Sequence, residues 1–264
     1  MTEELLLSVE GGVAVLTLNR PERLNALTRA MLSGLRTHLQ SLAEDPDVGC
    51  VVLTGNGRAF CSGGDVRVQA ANAGKSDQSP EQRADQLRAS MEASRLLHDM
   101  PKPTIAMING VAAGAGMSLA LACDLRLAGE SARMTTAFAK VGLSGDYGGT
   151  YFLTQLVGPS KARELYLTAE VLDASRLLAL GLVTRVVPDA VLLAETMTLA
   201  SKFASGPRVA YRYIKRNMKV AEEGSLSDAL DSEAFGMLRC RETADHAEAA
   251  QAFVEKRTPV FTGR

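Results

Sequence analysis

Tryptophan is absent from this 264-residue sequence, which also contains only three histidines and four cysteines. The histidines lie far apart in separate helical patterns and therefore predict no metal site. The cysteines are spaced neither as metal ligands nor as the disulfide framework of a small secreted domain, so we expect reduced thiols in a cytoplasmic protein. These residues are Cys50, Cys61, Cys123 and Cys240.

An excess of charge of either sign is also missing, since 29 lysines and arginines balance 30 aspartates and glutamates at a net charge of −1. This balance provides no field to hold a polyanion, so nucleic acid is not expected as a partner. The N-terminus places two acidic residues before only three leucines, unlike a signal peptide. No apolar run approaches the ~20 residues that cross a bilayer, so neither export nor a membrane span is expected.

Apolar residues make up 46% of the chain, enough for a full core. Short apolar runs alternate with helical patterns, as in layered α/β proteins. The runs Leu5–Val9 and Val13–Leu18 predict a hairpin, and the following helical pattern has Thr28 as its N-cap. The runs Cys50–Leu53 and Thr104–Ile108 are typical of buried strands, and each leads into a glycine-rich loop.

The C-terminal part of the sequence, from Ala190 onward, shows only helical periodicity. Chain breakers cluster at Ser205–Pro207 and predict a boundary between a core of residues 1–205 and a helical region of residues 206–264. A basic stripe at helical spacing in this region is either a solvated helix face or an attraction for ligand phosphates. The stripe comprises Arg208, Arg212, Lys215, Arg216 and Lys219.

Three glycine-rich loops carry the candidate chemistry. Ala59–Asp65 follows a predicted strand and Ala113–Ser118 opens a predicted helix, so both leave backbone N–H groups able to point at a bound atom. Two such donors that converge on one oxygen form an oxyanion hole. The third loop, Leu143–Thr150, offers Asp146 as an acid or base. Tight turns for the glycines and an N-cap for Asp146 are the alternative interpretations.

Together these motifs resemble the crotonase superfamily, the enoyl-CoA hydratases and isomerases. The resemblance rests on Asn19–Leu27, Gly55–Asp65 and Ile108–Asp124 and runs over nearly the whole chain. It implies an α/β fold, a spiral of ββα repeats with a C-terminal helical region that assembles trimers, often paired into hexamers. It also implies that the N–H groups of Cys61 and Ala115 bind the thioester oxygen of an acyl-CoA, with no cofactor beyond the coenzyme A of the substrate and no metal.

The resemblance also exposes a departure from hydratases, which use two glutamates that flank a water. The matching positions hold Ser118 and Phe138, whereas Asp146 replaces a family glycine. The blocks around these residues are most similar to the ring-opening isomerases of phenylacetate pathways. We therefore expect an acyl-CoA isomerase that shifts a double bond, or isomerises a phenylacetyl-type epoxide, with Asp146 as the acid and base. An enoyl-CoA hydratase and a non-catalytic acyl-CoA-binding protein are the alternatives.

The resemblance further implies where the ligand is held. Arg23–Ala26 and the backbone near Asp65 would hold nucleotide and pantetheine, and Lys256 would reach the phosphates. Asp65 could instead cap the following helix, and Lys256 could be a solvated end. The polar segment Ala70–Pro80 is expected to be a mobile loop beside the site. The full set of substrate-binding positions is Arg23, Leu24, Ala26, Ala59, Gly64, Asp65, Val66, Gly114, Ser118, Phe138 and Lys256.

Overall fold

The computed structural model describes residues 3–65 and 77–264. Its strands are β1 (Leu5–Glu10), β2 (Val13–Leu18), β3 (Cys50–Gly55), β4 (Ala59–Cys61), β5 (Thr104–Ile108), β6 (Val111–Ala113), β7 (Leu125–Gly129), β8 (Arg133–Thr135), β9 (Leu172–Asp173) and β10 (Arg185–Val187). Its helices are α1 (Arg29–Glu44), α2 (Pro80–Ser90), α3 (Glu92–Asp99), α4 (Ala115–Ala122), α5 (Gly149–Thr168), α6 (Ala174–Ala179), α7 (Leu192–Ala204), α8 (Arg208–Glu223), α9 (Leu226–Arg241) and α10 (Ala244–Glu255).

The strands form two sheets, and from β3 to β8 successive strands along the chain alternate between them. In the described ranges the larger sheet has the order β1-β2-β3-β5-β7-β10 and the smaller one the order β4-β6-β8-β9. Each of the pairs β3–β4, β5–β6 and β7–β8 places its first strand in the larger sheet and its second in the smaller, and helices follow. The expected α/β class, the ββα repeat and the helical C-terminal region are therefore confirmed.

The first helix follows the sequence pattern closely. The Thr28 side chain accepts a hydrogen bond from the Met31 backbone N–H, as an N-cap does. The apolar stripe is fully buried and packs α1 against the larger core cluster. The stripe consists of Met31, Leu35, Leu39 and Leu42.

The basic stripe of α8 serves mainly to attach this helix to the core. Lys215 Nζ lies 2.6 Å from Asp124 Oδ2, and Lys219 Nζ lies 2.8 Å from Asp99 Oδ1. Arg216 covers the Phe235 ring at 5.5 Å from its centroid. The positive groups of Lys215 and Lys219 are thus paired with core carboxylates, which disfavours the interpretation of the stripe as a phosphate site. The turn between α7 and α8 falls at 205–207, where the boundary was predicted.

Part of the expected mobile loop lies outside the described residues, which also do not include Val66. From residue 77 the chain leads into helix α2 within a few residues. Ser79 and Gln82 form a reciprocal capping box, and Pro80 is the first residue of α2. Pro80, the last residue of the predicted loop, therefore belongs to a helix. None of the described helices combines the length and apolarity needed to span a membrane.

Candidate active site

Two of the three glycine loops are in direct contact. β4 and β6 are neighbours in the smaller sheet, with Cys61 opposite Ala112, so their C-terminal ends lie side by side. A Cβ placed on Gly63 would lie 2.8 Å from the Ala113 carbonyl oxygen and 3.5 Å from the Ala115 nitrogen, and Gly63 has φ +92°. Only glycine meets both requirements at this position. The segments that carry Cys61 and Ala115 are therefore in contact, as the sequence predicted.

The Ala115 amide occupies the start of a helix. Ala115 is the first residue of α4, after Gly114 with φ +53°. The first N–H groups of a helix have no acceptor within the helix, and they lie at the positive end of its dipole. This position suits an amide that binds a developing negative charge. The Cys61 amide lies at the end of the neighbouring strand β4.

Asp146 faces the same space as Ala115. Both residues line a cavity of about 980 Å³, together with Gly64 and Asp65. Asp146 is not the N-cap of α5, because that position belongs to Gly148 and the contact of Asp146 with the helix is made by its backbone carbonyl. The Asp146 Oδ1 atom is buried without a hydrogen-bond partner in the described part of the chain. The N-cap interpretation is therefore wrong, and a carboxylate oxygen remains available to a ligand.

Burial controls the ionisation of this carboxyl. Removal from water raises the pKa of Asp146 from its ordinary value of 3.8 to about 6. The group can therefore gain and lose a proton near neutral pH. Its backbone neighbour Tyr147 has φ +51°, a strained conformation for a bulky residue, so the third loop is held in place by its surroundings.

The Cys61 thiol is fully buried, which disfavours its ionisation. Burial, more than any neighbouring charge, raises the pKa of Cys61 to about 12. The thiol therefore stays protonated, and thiolates rather than thiols are the reactive form. These properties favour the predicted backbone contribution of Cys61 over a nucleophilic one.

The two positions that correspond to hydratase glutamates hold buried, non-ionising side chains. Ser118 is 1% exposed, and its hydroxyl donates to the Gly114 carbonyl oxygen at 3.3 Å. Phe138 stacks on Tyr166 with a centroid distance of 6.0 Å and an interplanar angle of 3°. The Phe138 ring also lies over Gly114, at 3.7 Å from where a Cβ would be. Both positions therefore help to shape the Gly114 turn.

The segment predicted to hold the nucleotide packs beside the first glycine loop. The Leu24 carbonyl accepts a hydrogen bond from the Ser62 N–H at 2.9 Å, and the Leu27 N–H donates to Gly63 at 2.8 Å. Arg20 pairs with Asp65 at 3.4 Å, which holds this carboxylate at the cavity wall. The helix-cap interpretation of Asp65 concerns residues outside the described ranges.

The predicted site residues fall into three groups in the structure. Gly64, Asp65, Ala115 and Asp146 line the cavity. Lys256 is exposed just beyond α10 and is not among the described residues that line the cavity. The others lie in segments that carry or support the lining residues, and they are Arg23, Leu24, Ala26, Ala59, Cys61, Gly114, Ser118 and Phe138.

Sequence reasoning missed Tyr166. Its hydroxyl would lie 2.5 Å from a Cβ on Gly149, beside the Ser118 hydroxyl. Burial, and after it the Asp146 charge, raises the pKa of Tyr166, so this hydroxyl stays neutral next to the acid. Tyr166 gave no signal in the sequence, because it lies near the end of the long helix α5 and only the path of that helix brings it close to the Asp146 loop.

The fold agrees with the comparisons. Residues 8–264 match the family model described as enoyl-CoA hydratase/isomerase, and the chain belongs to this family. It is 38% identical to the 1,2-epoxyphenylacetyl-CoA isomerase of Escherichia coli over all of both chains, and 36% identical to the 2,3-dehydroadipyl-CoA hydratase of the same organism over 99% of both. It is also similar to the crystal structure of a protein from Streptomyces coelicolor titled putative enoyl-CoA hydratase, with a TM-score of 0.94, 35% identity and coverage of 99% of this chain and 95% of the other.

Proposed function

We propose that this enzyme isomerises acyl-CoA thioesters by moving a proton between two carbons, with Asp146 as the only acid and base. The observation that carries the proposal is the buried, unpartnered Asp146 oxygen in the cavity that Ala115 also lines. The expected substrate is a 3-enoyl-CoA, which becomes the conjugated 2-enoyl-CoA. A phenylacetyl-type epoxide is the other substrate class, in view of the printed name of the Escherichia coli isomerase.

The proposed reaction uses the geometry directly. Ionised Asp146 accepts a proton from the carbon next to the thioester carbonyl, and the electron pair moves onto the carbonyl oxygen. The N–H groups of Cys61 and Ala115 stabilise this enolate. Asp146 then returns the same proton further along the chain, and the double bond shifts with no net gain or loss of atoms. An aspartate base beside oxyanion donors is a known arrangement for this chemistry.

A hydratase is the second candidate, because several relatives carry that name, including the 2,3-dehydroadipyl-CoA hydratase of Escherichia coli. Hydration needs one group to activate water and a path to deliver a proton. Ser118 and Phe138 supply no carboxylate for these roles. Isomerisation needs only one acid, and so it suits this site better.

The ligand arrangement is part of the proposal. The CoA nucleotide and pantetheine would lie along Arg23–Ala26 and Asp65, and the acyl group would enter the cavity beside Asp146. Lys256 does not line the described cavity, so its proposed contact with the phosphates would lie outside that cavity. A crystal structure of the enzyme with a bound CoA ester would test these contacts.

A homotrimer, or a hexamer of paired trimers, is also proposed. The helical C-terminal region exposes large apolar side chains, among them Leu226 at 76% and Phe253 at 85%. Exposed apolar surface of this extent is typical of protein interfaces. Analytical ultracentrifugation should show a mass of three or six chains, and a monomer at micromolar concentration would contradict this assembly.

One assay separates the candidate functions. The protein is incubated with 3-hexenoyl-CoA and, separately, with crotonyl-CoA, and the conjugated enoyl product and the 3-hydroxyacyl product are measured. Isomerisation without comparable hydration supports the proposal. Formation of 3-hydroxyacyl-CoA as the faster reaction identifies a hydratase, and tight binding of CoA esters without turnover of any enoyl or epoxide substrate identifies a non-catalytic binding protein.

A further inference from the structure

The cavity that holds Asp146 continues between two helices. It starts at Leu27, next to the first glycine loop, and is lined along α1 by Leu32 and Arg36. On the opposite side α2 contributes Arg83 and Leu87. Residues three, four and seven positions apart share a helix face, so each helix presents one face to the cavity.

Positive charge is concentrated where these two faces meet. Arg29 and Arg36 lie seven residues apart on α1, and Arg83 lies on α2, and all three line the cavity. Within the described ranges, none of these three guanidinium groups lies within ion-pair distance of a carboxylate. Asp65 follows Gly64, which pairs with Leu27, so Arg29 at the start of α1 lies near this carboxylate and Arg36 lies two turns further along the helix. Glu81 lies near enough to Arg83 to feel its charge, and Arg36 faces the same cavity from the other helix. Arginines from two helices that line one cavity form a basic surface that can bind an anion.

Apolar side chains line the same cavity, namely Leu27, Leu32, Leu87 and Ala89. Along α1, Leu32 lies between Leu27, which pairs with Gly64, and Arg36. Arg36 lies eight residues beyond the N-cap Thr28, roughly 12 Å along the helix axis at 1.5 Å per residue. Helical side chains lean toward the N-terminus, so Arg36 can reach back toward the reacting end. Along α1 the cavity therefore runs from Leu27, beside the first glycine loop, past apolar Leu32 to the positive charge of Arg36.

We propose that the preferred substrates are acyl-CoA thioesters whose acyl chain ends in a carboxylate, and that Arg36 and Arg83 bind this terminal carboxylate. This inference rests on the proposed function, because it takes Asp146 as the site of reaction. Guanidinium groups form paired hydrogen bonds with carboxylates, and hydrocarbon between the two ends fits the apolar side chains that line the cavity. The specificity of the enzyme would then be set by α1 and α2 rather than by the catalytic loops.

The test compares two substrates of equal chain length, 3-hexenedioyl-CoA, which has a terminal carboxylate, and 3-hexenoyl-CoA, which has none. Matched pairs of substrates with eight and ten acyl carbons test whether a longer acyl chain brings the carboxylate closer to the arginines. The wild type is expected to favour the acid, measured as the ratio of the two kcat/KM values. Arg36→Gln and Arg83→Gln should each lower this ratio about 10- to 100-fold, the range for a lost hydrogen bond between charged groups. Arg88→Gln is the matched control, since Arg88 is on α2, is exposed and pairs with Glu92.

Each other result overturns the inference in a recognisable way. If the arginine variants lose kcat/KM equally for both substrates and bind free coenzyme A more weakly, the arginines hold the nucleotide phosphates. If both variants keep the wild-type ratio of the two kcat/KM values, the arginine side chains are solvated and do not bind the substrate. If the wild type turns over neither substrate, the proposed function fails, and calorimetric binding of adipoyl-CoA against hexanoyl-CoA still tests the arginines. Equal affinity for these two saturated esters would contradict the inference by itself.

Discussion

Gly116 lies against Cys61 so closely that a Cβ on Gly116 would be 2.7 Å from the Cys61 Cβ and closer still to the Cys61 carbonyl oxygen. Real Cβ atoms do not approach a neighbour to this distance. The helix that begins at Ala115 can therefore meet strand β4 only because residue 116 is glycine. This contact fixes the spacing of the two amides proposed to hold the thioester oxygen.

Gly116→Ala should damage both stability and turnover. The new methyl group must push α4 away from Cys61, and overpacking of this kind costs about 1–3 kcal/mol. Urea unfolding measures the loss of stability, and kcat of the folded variant measures the displaced amide. Gly34→Ala is the control, because Gly34 lies within α1 and the nearest atom to a Cβ there is the far end of the Leu5 side chain, at 3.0 Å. Wild-type stability and turnover in the Gly116 variant would show that the contact is unimportant.

Ala115→Pro should remove the proposed oxyanion donor and keep the fold. Proline lacks the N–H but is well tolerated at the first position of a helix. Loss of one such donor typically lowers kcat by about 10²–10³-fold. Ala244→Pro makes the same change at the exposed first residue of α10 and should retain normal turnover. Full activity in folded Ala115→Pro would refute the role of this amide.

The pH dependence of kcat/KM should follow Asp146. The carboxylate must be ionised to accept a proton, and its pKa is about 6. The rate should therefore rise about tenfold per pH unit below pH 6 and level off above it. Cys61, with its pKa raised to about 12, does not titrate in this range. A profile that is flat from pH 5 to pH 8 would exclude Asp146 as the base.

Asp146 should also make folding stability depend on pH. Its pKa is higher in the folded chain, about 6, than its ordinary value of 3.8, so between these values the folded state binds more protons than the unfolded state. The free energy of unfolding therefore falls as pH rises from about 4 to about 6, by at most about 3 kcal/mol. Asp146→Asn carries no charge and avoids this loss.

Urea titrations of wild type and Asp146→Asn at pH 4 and pH 7 measure this effect. The variant should gain stability over the wild type at pH 7 and show little difference at pH 4. Asp231→Asn, an exposed carboxylate on α9, should show no such pH-dependent gain. A stability difference between wild type and Asp146→Asn that does not change with pH would contradict the burial of this charge.

Much of the fold and part of the site could be predicted from local sequence. Thr28 and the apolar stripe after it specify α1, and the glycines at 63 and 114 mark turns that only glycine tolerates. Asp146 was predicted as an acid by its type and its glycine-rich surroundings. The sequence could not predict that the Asp146 side chain leaves the N-terminus of α5 uncapped. An aspartate just before a helix is equally typical of an N-cap.

The rest of the site depends on contacts between distant parts of the chain. Tyr166 reaches the Asp146 loop only through the path of α5, and Arg36 and Arg83 face one cavity only because α1 packs on α2. The pairing of Lys215 with Asp124 likewise spans 91 residues. A periodic pattern gives the face of a helix, and it does not identify what that face contacts.

The most direct test of the proposed single-acid mechanism is the turnover of 3-hexenoyl-CoA by Asp146→Asn, followed as formation of the conjugated 2-enoyl-CoA. The wild type should form this product, and the variant should be slower by about 10²–10⁴-fold, the usual contribution of a general acid or base. Asp231→Asn should match the wild type. Product formation by folded Asp146→Asn at the wild-type rate would contradict the account.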